Sequence, residues 1–239
     1  MKINEIISSV DKYKIRRIFN EHFEYKDEIT IDDNGFISCS GNVKLIRKLS
    51  KLPVKFLKVD GFFDCSNNNQ LTTLEGSPTS VIKCFDCSNN QLTTLEGSPT
   101  SVGGSFNCSS NQLTTLAGSH TSIGGIFNCS NNVLITLEGG PISISGGFYC
   151  FNNLNLKNLN HLMSGISDLY LSYLPTMPLL RCLIAKKIKF YPITDINVQI
   201  QDILNKYAGQ GRKAALDCAA ELLSLGKTLD IDLTMNARW

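Results

Sequence analysis

The sequence predicts a mostly β solenoid with short helical caps at both ends, and three observations support this. Cys87, Cys108, Cys129 and Cys150 follow one another at intervals of 21 residues. Each of these cysteines ends a Phe-x-Cys segment, and the stretches between the segments contain Pro and paired Gly in place of helix formers. A period of this length indicates one short structural unit stacked on itself, which forms long surfaces more readily than pockets.

The composition is that of an ordinary globular protein. The chain has 239 residues, a hydrophobic content of 42% and a formal net charge of +2. No apolar run approaches about 18 residues, so we expect no membrane span. The amino terminus lacks the pattern of a signal peptide, and we therefore expect a cytoplasmic protein whose cysteines are reduced and buried.

The amino-terminal part is predicted to be a helical segment followed by a hairpin. The first 28 residues have helical periodicity, with Asp11 as a candidate cap of a helix that carries Phe19. Residues 36–39 and 43–45 flank a Ser-Gly-Asn turn, which favours a β-hairpin. We align residues 43–45 with the first repeat strand and expect the preceding arm to cover the exposed edge of that strand.

The repeat strands follow, and helices end the chain. Strands are predicted at residues 63–65, 85–87, 106–108, 127–129 and 148–150, with degenerate ones at 169–171 and 188–190. Beyond Pro192 the periodicity is helical, and two helices are expected, the second with Leu216, Ala219, Ala220 and Leu223 on its inner face and Gly226 at its end. The predicted domains are residues 1–42, 43–191 and 192–239.

The repeat matches the pattern Leu-x-Leu-x-x-Asn-x-Leu. Phe85, Cys87, Asn90 and Leu92 occupy its four defining positions, and we expect each such Asn to bond backbone groups of the adjacent coil. The pattern resembles that of leucine-rich repeat proteins, and the sequence of residues 92–106 resembles the repeats of such proteins from tailed bacteriophages. The resemblance implies a strand-lined concave face and a phage product that acts inside a bacterial host. It implies no catalytic residues.

No catalytic or cofactor motif is found, and neither a cofactor nor a metal is expected. His22, His120 and His161 lie in separate segments, so they do not suggest a shared metal site. Cys84 and Cys87 form a single Cys-x-x-Cys, but residues three apart on a strand face opposite sides. We interpret the cysteines as core residues and expect no enzymatic activity.

Side chains that alternate with Phe and Cys are expected to project from the concave face, where a protein partner would bind. The candidate binding residues are Asp64, Ser66, Asp86, Ser88, Asn107, Ser109, Asn128, Ser130, Tyr149, Phe151, Tyr170 and Tyr173. They change from acidic to aromatic along the chain. The aromatic residues are either an exposed interface cluster or core covered by neighbouring segments, and the sequence leaves both readings open.

Charge is also uneven along the chain. Residues 63–150 carry one Lys and five acidic residues, whereas residues 157–213 carry eight basic and three acidic ones. Arg181, Lys186, Lys187 and Lys189 are a candidate basic docking patch, or simply a solvated face.

The leading hypothesis for function is a protein-binding scaffold, encoded by a phage, that inhibits or redirects a bacterial host protein such as a defence component. The alternatives are an accessory protein that binds nucleic acid through the basic region, which the acidic repeats disfavour, and a structural component of the phage.

Overall fold

Stacked turns of the chain form a parallel β-solenoid in this computed structural model, with strands on two sides of each turn and helices near both ends. The structure describes residues 9–119, 121–174, 179–210 and 212–229. The mostly β solenoid with short terminal helices that the sequence predicts is confirmed. The final residues, 230–239, and the first part of the predicted amino-terminal helix lie outside the described residues.

The elements divide into helices and two sheets. Helix α1 spans Ser9–His22, a 3-10 helix spans Leu179–Ile184, and helices α2 and α3 span Asp195–Tyr207 and Arg212–Leu229. Sheet 1 contains, in spatial order, β1 (Phe23–Tyr25), β4 (Val43–Leu45), β6 (Phe63–Asp64), β8 (Phe85–Asp86), β10 (Phe106–Asn107), β12 (Phe127–Asn128), β14 (Phe148–Cys150), β15 (Asp168–Ser172) and β16 (Lys187–Tyr191). Sheet 2 contains β13 (Ser143–Ile144), β11 (Ser122–Ile123), β9 (Ser101–Val102), β7 (Ser80–Val81), β5 (Lys55–Val59), β3 (Phe36–Cys39) and β2 (Ile29–Ile31).

Sheet 1 has the strands and the register that the repeat predicts. Val43 pairs with Phe63, and Phe63 pairs with Phe85, so the alignment of residues 43–45 with the first repeat strand is confirmed. The degenerate strands are confirmed as well, because Phe148 pairs with Leu169 and Leu169 with Ile188. Equivalent residues of successive turns therefore lie side by side, about 4.8 Å apart.

Sheet 2 was not expected. The sequence predicts an extended or turn-like side opposite the Phe-x-Cys strands, and the chain there is indeed not helical. Its Ser-Val and Ser-Ile segments nevertheless pair in parallel from turn to turn, as Ser101 does with Ser80 and Ser122. Only two residues per turn take part, which is too short a run for a periodicity in the sequence to reveal.

The core between the sheets is built from columns of identical side chains. The rings of Phe63, Phe85, Phe106, Phe127 and Phe148 are buried, with successive centroids 5.0–5.8 Å apart. Burying each such ring stabilises the fold by about 1.5–3 kcal/mol. The adjacent Cys column is equally buried. These columns hold the register, because a slip of one residue would exchange core and surface faces.

A buried Asn column links successive turns, as the sequence predicts. Asn111 Nδ2 donates to the carbonyls of Cys108 in its own turn and Cys87 in the preceding one, both at 3.1 Å. Its Oδ1 accepts a hydrogen bond from the Leu92 amide at 3.0 Å. Asn132 and Asn153 repeat this arrangement. Each amide therefore satisfies backbone groups that the tight corner would otherwise bury without partners.

The amino-terminal prediction is wrong in its details. Helix α1 ends at His22, not near residue 28, and Asp11 lies inside its first turn. Strands β3 and β4 do not form the predicted hairpin, since they belong to different sheets. Strand β3 pairs antiparallel with β2, and β1 covers the edge of β4. The Ser-Gly-Asn segment is therefore a corner between the sheets, where Gly41 lies against Lys26 and Asp27 with no room for a Cβ.

The two carboxyl-terminal helices are confirmed, but the inner face of the second is only partly the predicted one. Helix α3 buries the predicted Ala219 together with Cys218 and Leu222, whereas Leu216 and Leu223 are 65% and 52% exposed. The helix also continues through Gly226, which does not end it. Small residues fill the contact because α3 packs closely against α2 and the 3-10 helix.

Candidate functional site

The outer face of sheet 1, the face predicted to be concave, carries one continuous row of side chains. We call the row the ladder, and its members are Glu24, Lys44, Asp64, Asp86, Asn107, Asn128, Tyr149, Tyr170 and Lys189. The first two and the last extend the predicted acidic-to-aromatic column with charges. Lys44 precedes Leu45 on an aligned strand, so the sequence could have supplied it, whereas Glu24 was hidden by its assignment to a helix.

The polar part of the ladder has a structural role. Oδ1 of Asp64 accepts hydrogen bonds from the amide and hydroxyl of Ser66, at 2.9 and 2.7 Å. Asp86, Asn107 and Asn128 accept the amide two residues ahead in the same way. These Asx turns end each strand after two residues. The choice of Asp or Asn at these positions therefore reflects the turn and carries less information about a partner than the sequence suggests.

The strands lengthen where tyrosine replaces Asp or Asn. Strand β14, with Tyr149, has three residues, and β15, with Tyr170, has five. A tyrosine side chain cannot accept the hydrogen bond that closes an Asx turn, so the backbone continues in extended pairing. A second set of positions follows on this part of the face, with Phe151 directly after β14 and Tyr191 at the end of β16. Ser172, the cross-strand partner of Tyr191, is buried.

Four rings on these longer strands form what we call the aromatic cluster: Tyr149, Phe151, Tyr170 and Tyr191, each half-buried. The Tyr149 and Tyr170 ring centroids are 4.2 Å apart, Tyr170 and Tyr191 are stacked at 6.0 Å, and Phe151 lies 5.1 Å from Tyr191. Lys189 Nζ lies 5.4 Å from the Tyr170 ring centroid. Burial, and next the neighbouring Tyr170, raise the pKa of Tyr149, so its hydroxyl stays protonated at neutral pH.

Sequence reasoning missed Tyr191 and misplaced three other candidates. Tyr173 packs on the core, edge-on to Phe190 at 5.9 Å, and does not join the aromatic cluster. Ser88 and Ser130 are buried at the corner that follows each short strand, so they do not project from the face. The sequence could have identified Tyr191, because this residue directly follows the predicted strand at residues 188–190.

The described carboxyl-terminal helices leave the aromatic cluster uncovered. Helix α2 lies along the free edge of β16, where the Asn205 side chain accepts a hydrogen bond from the Ile188 amide and donates one to its carbonyl, at 2.7 and 2.9 Å. Gln201 accepts the Phe190 amide at 3.1 Å. Two amide side chains thus replace part of the next strand, and helix α2 closes the edge of sheet 1 without covering its outer face.

The candidate basic patch is brought together only in part. Lys187 and Lys189 lie on the outer face of β16 beside the aromatic cluster, and Lys186, also exposed, directly precedes the strand. Arg181 lies on the 3-10 helix, outside the sheet. Asp168 is the cross-strand partner of Lys187. The cations therefore border the aromatic cluster and do not form a separate patch.

The thiols are arranged as core residues. Burial raises the pKa of Cys65, Cys87, Cys108 and Cys129 well above the ordinary value. Burial also raises the pKa of Cys182 to about 12 and of Cys218 to about 11. A buried thiol that stays protonated is a poor nucleophile. Cys84 is the exposed thiol in the part of the chain that the structure describes.

Within the described ranges, no group of three or more His, Cys, Asp or Glu side chains is placed to hold a metal ion. None of the described helices has the length and apolar character needed to cross a bilayer. The chain is a parallel β-solenoid that carries the aromatic cluster on the outer face of sheet 1. Comparisons with protein-family models, with curated proteins and with solved structures find no match to this chain.

Proposed function

We propose that this chain is a non-enzymatic protein-binding scaffold whose partner docks on the outer face of sheet 1. The observation that carries the proposal is the aromatic cluster, four half-buried rings on a sheet face that the described helices leave uncovered, with lysines at the border. Tyrosine is enriched among the residues that dominate protein–protein affinity, because it offers a large rigid area and a hydroxyl. The polar part of the ladder would orient the partner and contribute less to affinity.

The resemblance of the repeat to leucine-rich repeat proteins of tailed bacteriophages supports a partner in a bacterial host. On that basis we propose that the chain acts in the host cytoplasm, where it inhibits or redirects a host protein such as a defence component. A structural component of the phage is the competing role, and detection of the chain in purified virions would favour it.

Affinity capture from bacterial lysate tests the scaffold. The informative variant is Tyr149→Asn with Tyr170→Asn, because the same sheet accepts Asn at the equivalent positions 107 and 128. We expect this variant to unfold at a similar urea concentration and to lose the captured protein. The matched control is Gln91→Ala with Gln112→Ala, two exposed residues outside both sheets. Equal retention of one partner by all three proteins would falsify the proposal.

A nucleic acid is the second candidate partner, and the proximity of Lys187 and Lys189 to Tyr170 and Tyr191 favours it. Proteins that bind single strands combine cationic side chains with aromatic ones. Affinity for oligothymidylate that falls steeply with salt would support this candidate, since such affinity depends on counterion release.

A further inference from the structure

The geometry of the aromatic cluster points to the chemistry of its partner. Resting on the scaffold function proposed above, we propose that the cluster binds an acidic protein segment that also carries an apolar side chain. Three features of the cluster lead to this inference, namely the way its rings are turned, the charges at its border and the hydroxyl groups it offers.

The rings contact one another across neighbouring strands, with Tyr170 stacked on Tyr191 and tilted against Tyr149, so neighbouring rings cover part of each face. Tyr170 lies between Tyr149, at 4.2 Å, and Tyr191, at 6.0 Å, and Lys189 occupies space over its ring. What the cluster presents to a partner is therefore ring edges and hydroxyls. A platform that stacks nucleobases needs open ring faces, which makes a single-stranded nucleic acid a poorer fit than a protein.

The exposed parts of the cluster favour negative charge. The edge of an aromatic ring carries the positive part of its quadrupole, and the hydroxyl groups of Tyr149 and Tyr170 can donate hydrogen bonds. Lys187 and Lys189 add cations on the same side, and exposed Lys186 directly precedes them. Asp168 is the nearest carboxylate in the cross-strand register. A carboxylate of a partner would meet donors and cations here, while an apolar side chain would cover the ring carbons.

The opposite end of the ladder sets the direction of the bound segment. Asp64 and Asp86 lie on β6 and β8, which are five and four strands from β15. At about 4.8 Å per strand, they are roughly 19–24 Å from Tyr170. One oxygen of each carboxylate closes an Asx turn. The second oxygen of Asp86 accepts a hydrogen bond from Asn107 Nδ2 at 3.2 Å, and the second oxygen of Asp64 faces the partner. An acidic segment on the aromatic cluster would therefore continue away from these carboxylates, towards β16.

Defined peptides test the inference. The probes are three short synthetic peptides with the same Phe and Leu residues and with Glu, Lys or Gln at the remaining positions, together with oligothymidylate. We expect the wild-type chain to bind the Glu peptide at least about tenfold more tightly than the Lys peptide. The expected preference disappears in Lys187→Gln with Lys189→Gln, measured by fluorescence anisotropy at constant ionic strength.

The matched control is Lys51→Gln with Lys55→Gln, which removes the same charge from exposed positions at the other end of the solenoid and should leave the preference unchanged. Equal or tighter binding of the Lys peptide, tighter binding of oligothymidylate, or no binding of the Glu peptide at about 1 mM would each overturn the inference.

The two proposals fail in different ways. A lysate partner that is lost with Tyr149→Asn and Tyr170→Asn but kept with the double Lys→Gln variant preserves the scaffold and rejects the acidic segment. A partner kept by both variants rejects both proposals. The Tyr variant must unfold at a urea concentration close to that of the wild type, so that loss of binding reports on the surface and not on folding.

Discussion

Single residues at the corners of each turn are constrained by the neighbouring turn. Gly118 has a φ of +90°, and a Cβ there would lie 2.3 Å from the amide nitrogen of Glu96 in the preceding turn. Gly76, Gly97 and Gly139 repeat the conformation at the equivalent corners. A side chain at such a corner is disfavoured by the positive φ of its own residue. It would also collide with the backbone of the preceding turn, which is packed and cannot move away.

Gly118→Ala is expected to destabilise the fold by about 3 kcal/mol, because it combines strain with overpacking. The control is Gly209→Ala, where φ is +71° but nothing lies within 4 Å of the added Cβ, so only a backbone cost of about 1 kcal/mol is expected. Urea denaturation of both variants measures the difference. Equal costs would show that contact between turns does not limit this corner.

The buried thiols predict a loss of stability at alkaline pH. The folded chain keeps the pKa of Cys65, Cys87, Cys108 and Cys129 far above that of a free thiol, which ionises near pH 8.5. The unfolded chain therefore loses protons first as the pH rises. The free energy of unfolding should therefore keep its full value below about pH 8.5 and fall above that pH by about 1.4 kcal/mol per pH unit for each such thiol.

Free energies of unfolding from urea titrations at several pH values, under reducing conditions, measure this slope. Cys108→Ala should reduce the decrease in unfolding free energy per pH unit by the contribution of one thiol, whereas Cys84→Ser at the exposed position should not change it. A free energy of unfolding that stays constant between pH 8 and pH 9.5 would contradict the burial of the Cys column. The range is wide enough, because pH 9.5 lies about one unit above the pKa of a free thiol.

The period of the sequence was sufficient to predict the Phe, Cys and Asn columns, because a repeated residue in a stacked fold has one environment. It could not predict which outward residues reach solvent. Ser88 follows Cys87 as Phe151 follows Cys150, yet the first is buried at a corner and the second lies in the aromatic cluster. The difference depends on whether an Asx turn ends the strand, and this local hydrogen bond competes with the pairing that the period predicts.

At the scale of elements, helix α2 controls the open end of sheet 1. Asn205→Ala would leave the amide and carbonyl of Ile188 without their partners, and we expect a destabilisation of about 1–3 kcal/mol. An unsealed parallel edge also invites pairing with another chain, so self-association should increase.

Urea denaturation and size-exclusion chromatography at several protein concentrations measure both effects. Gln199→Ala, at an exposed position of the same helix, is the control and should behave as the wild type. A stable monomeric Asn205→Ala variant would mean that packing of α2, rather than these amides, closes the edge.

Elements with long periodic runs were predictable, and elements fixed by tertiary pairing were not. Helix α2 followed from the spacing of Ile196, Ile200 and Ile203. Strand β3 was recognised as a strand but given the wrong partner, because a turn signal does not distinguish a hairpin from a corner between two sheets. Strand β1 had no signal, since its three residues continue directly from α1.

At the scale of the whole molecule, stability is expected to be a sum over neighbouring turns. Deletion of residues 86–106 joins Phe85 to Asn107 and removes one complete repeat, since these residues occupy adjacent positions of successive strands. We expect a folded, cooperative chain whose free energy of unfolding is lower by about 1–3 kcal/mol.

Circular dichroism and urea denaturation test the shortened chain. Deletion of residues 86–105 is the matched control. It removes one residue fewer than a complete repeat, so every later side chain is displaced by one position and the strand at the deletion site should not pair. Equal stability of the two deletions would show that the register between turns is not enforced. The first deletion also brings the aromatic cluster one strand closer to Asp64, and unchanged partner binding would assign recognition to the cluster alone.

The pairing of both sheets over the same turns has a consequence for the shape of any partner. Strands β7, β9, β11 and β13 pair from turn to turn, as β8, β10, β12 and β14 do on the opposite side, so the strand spacing is the same on both sides of these four turns. A solenoid curves when its two sides differ in spacing, and these turns supply no such difference. Along these four turns the partner surface is therefore expected to be straight and elongated, as a strand or a helix is, and not a rounded domain held in a hollow.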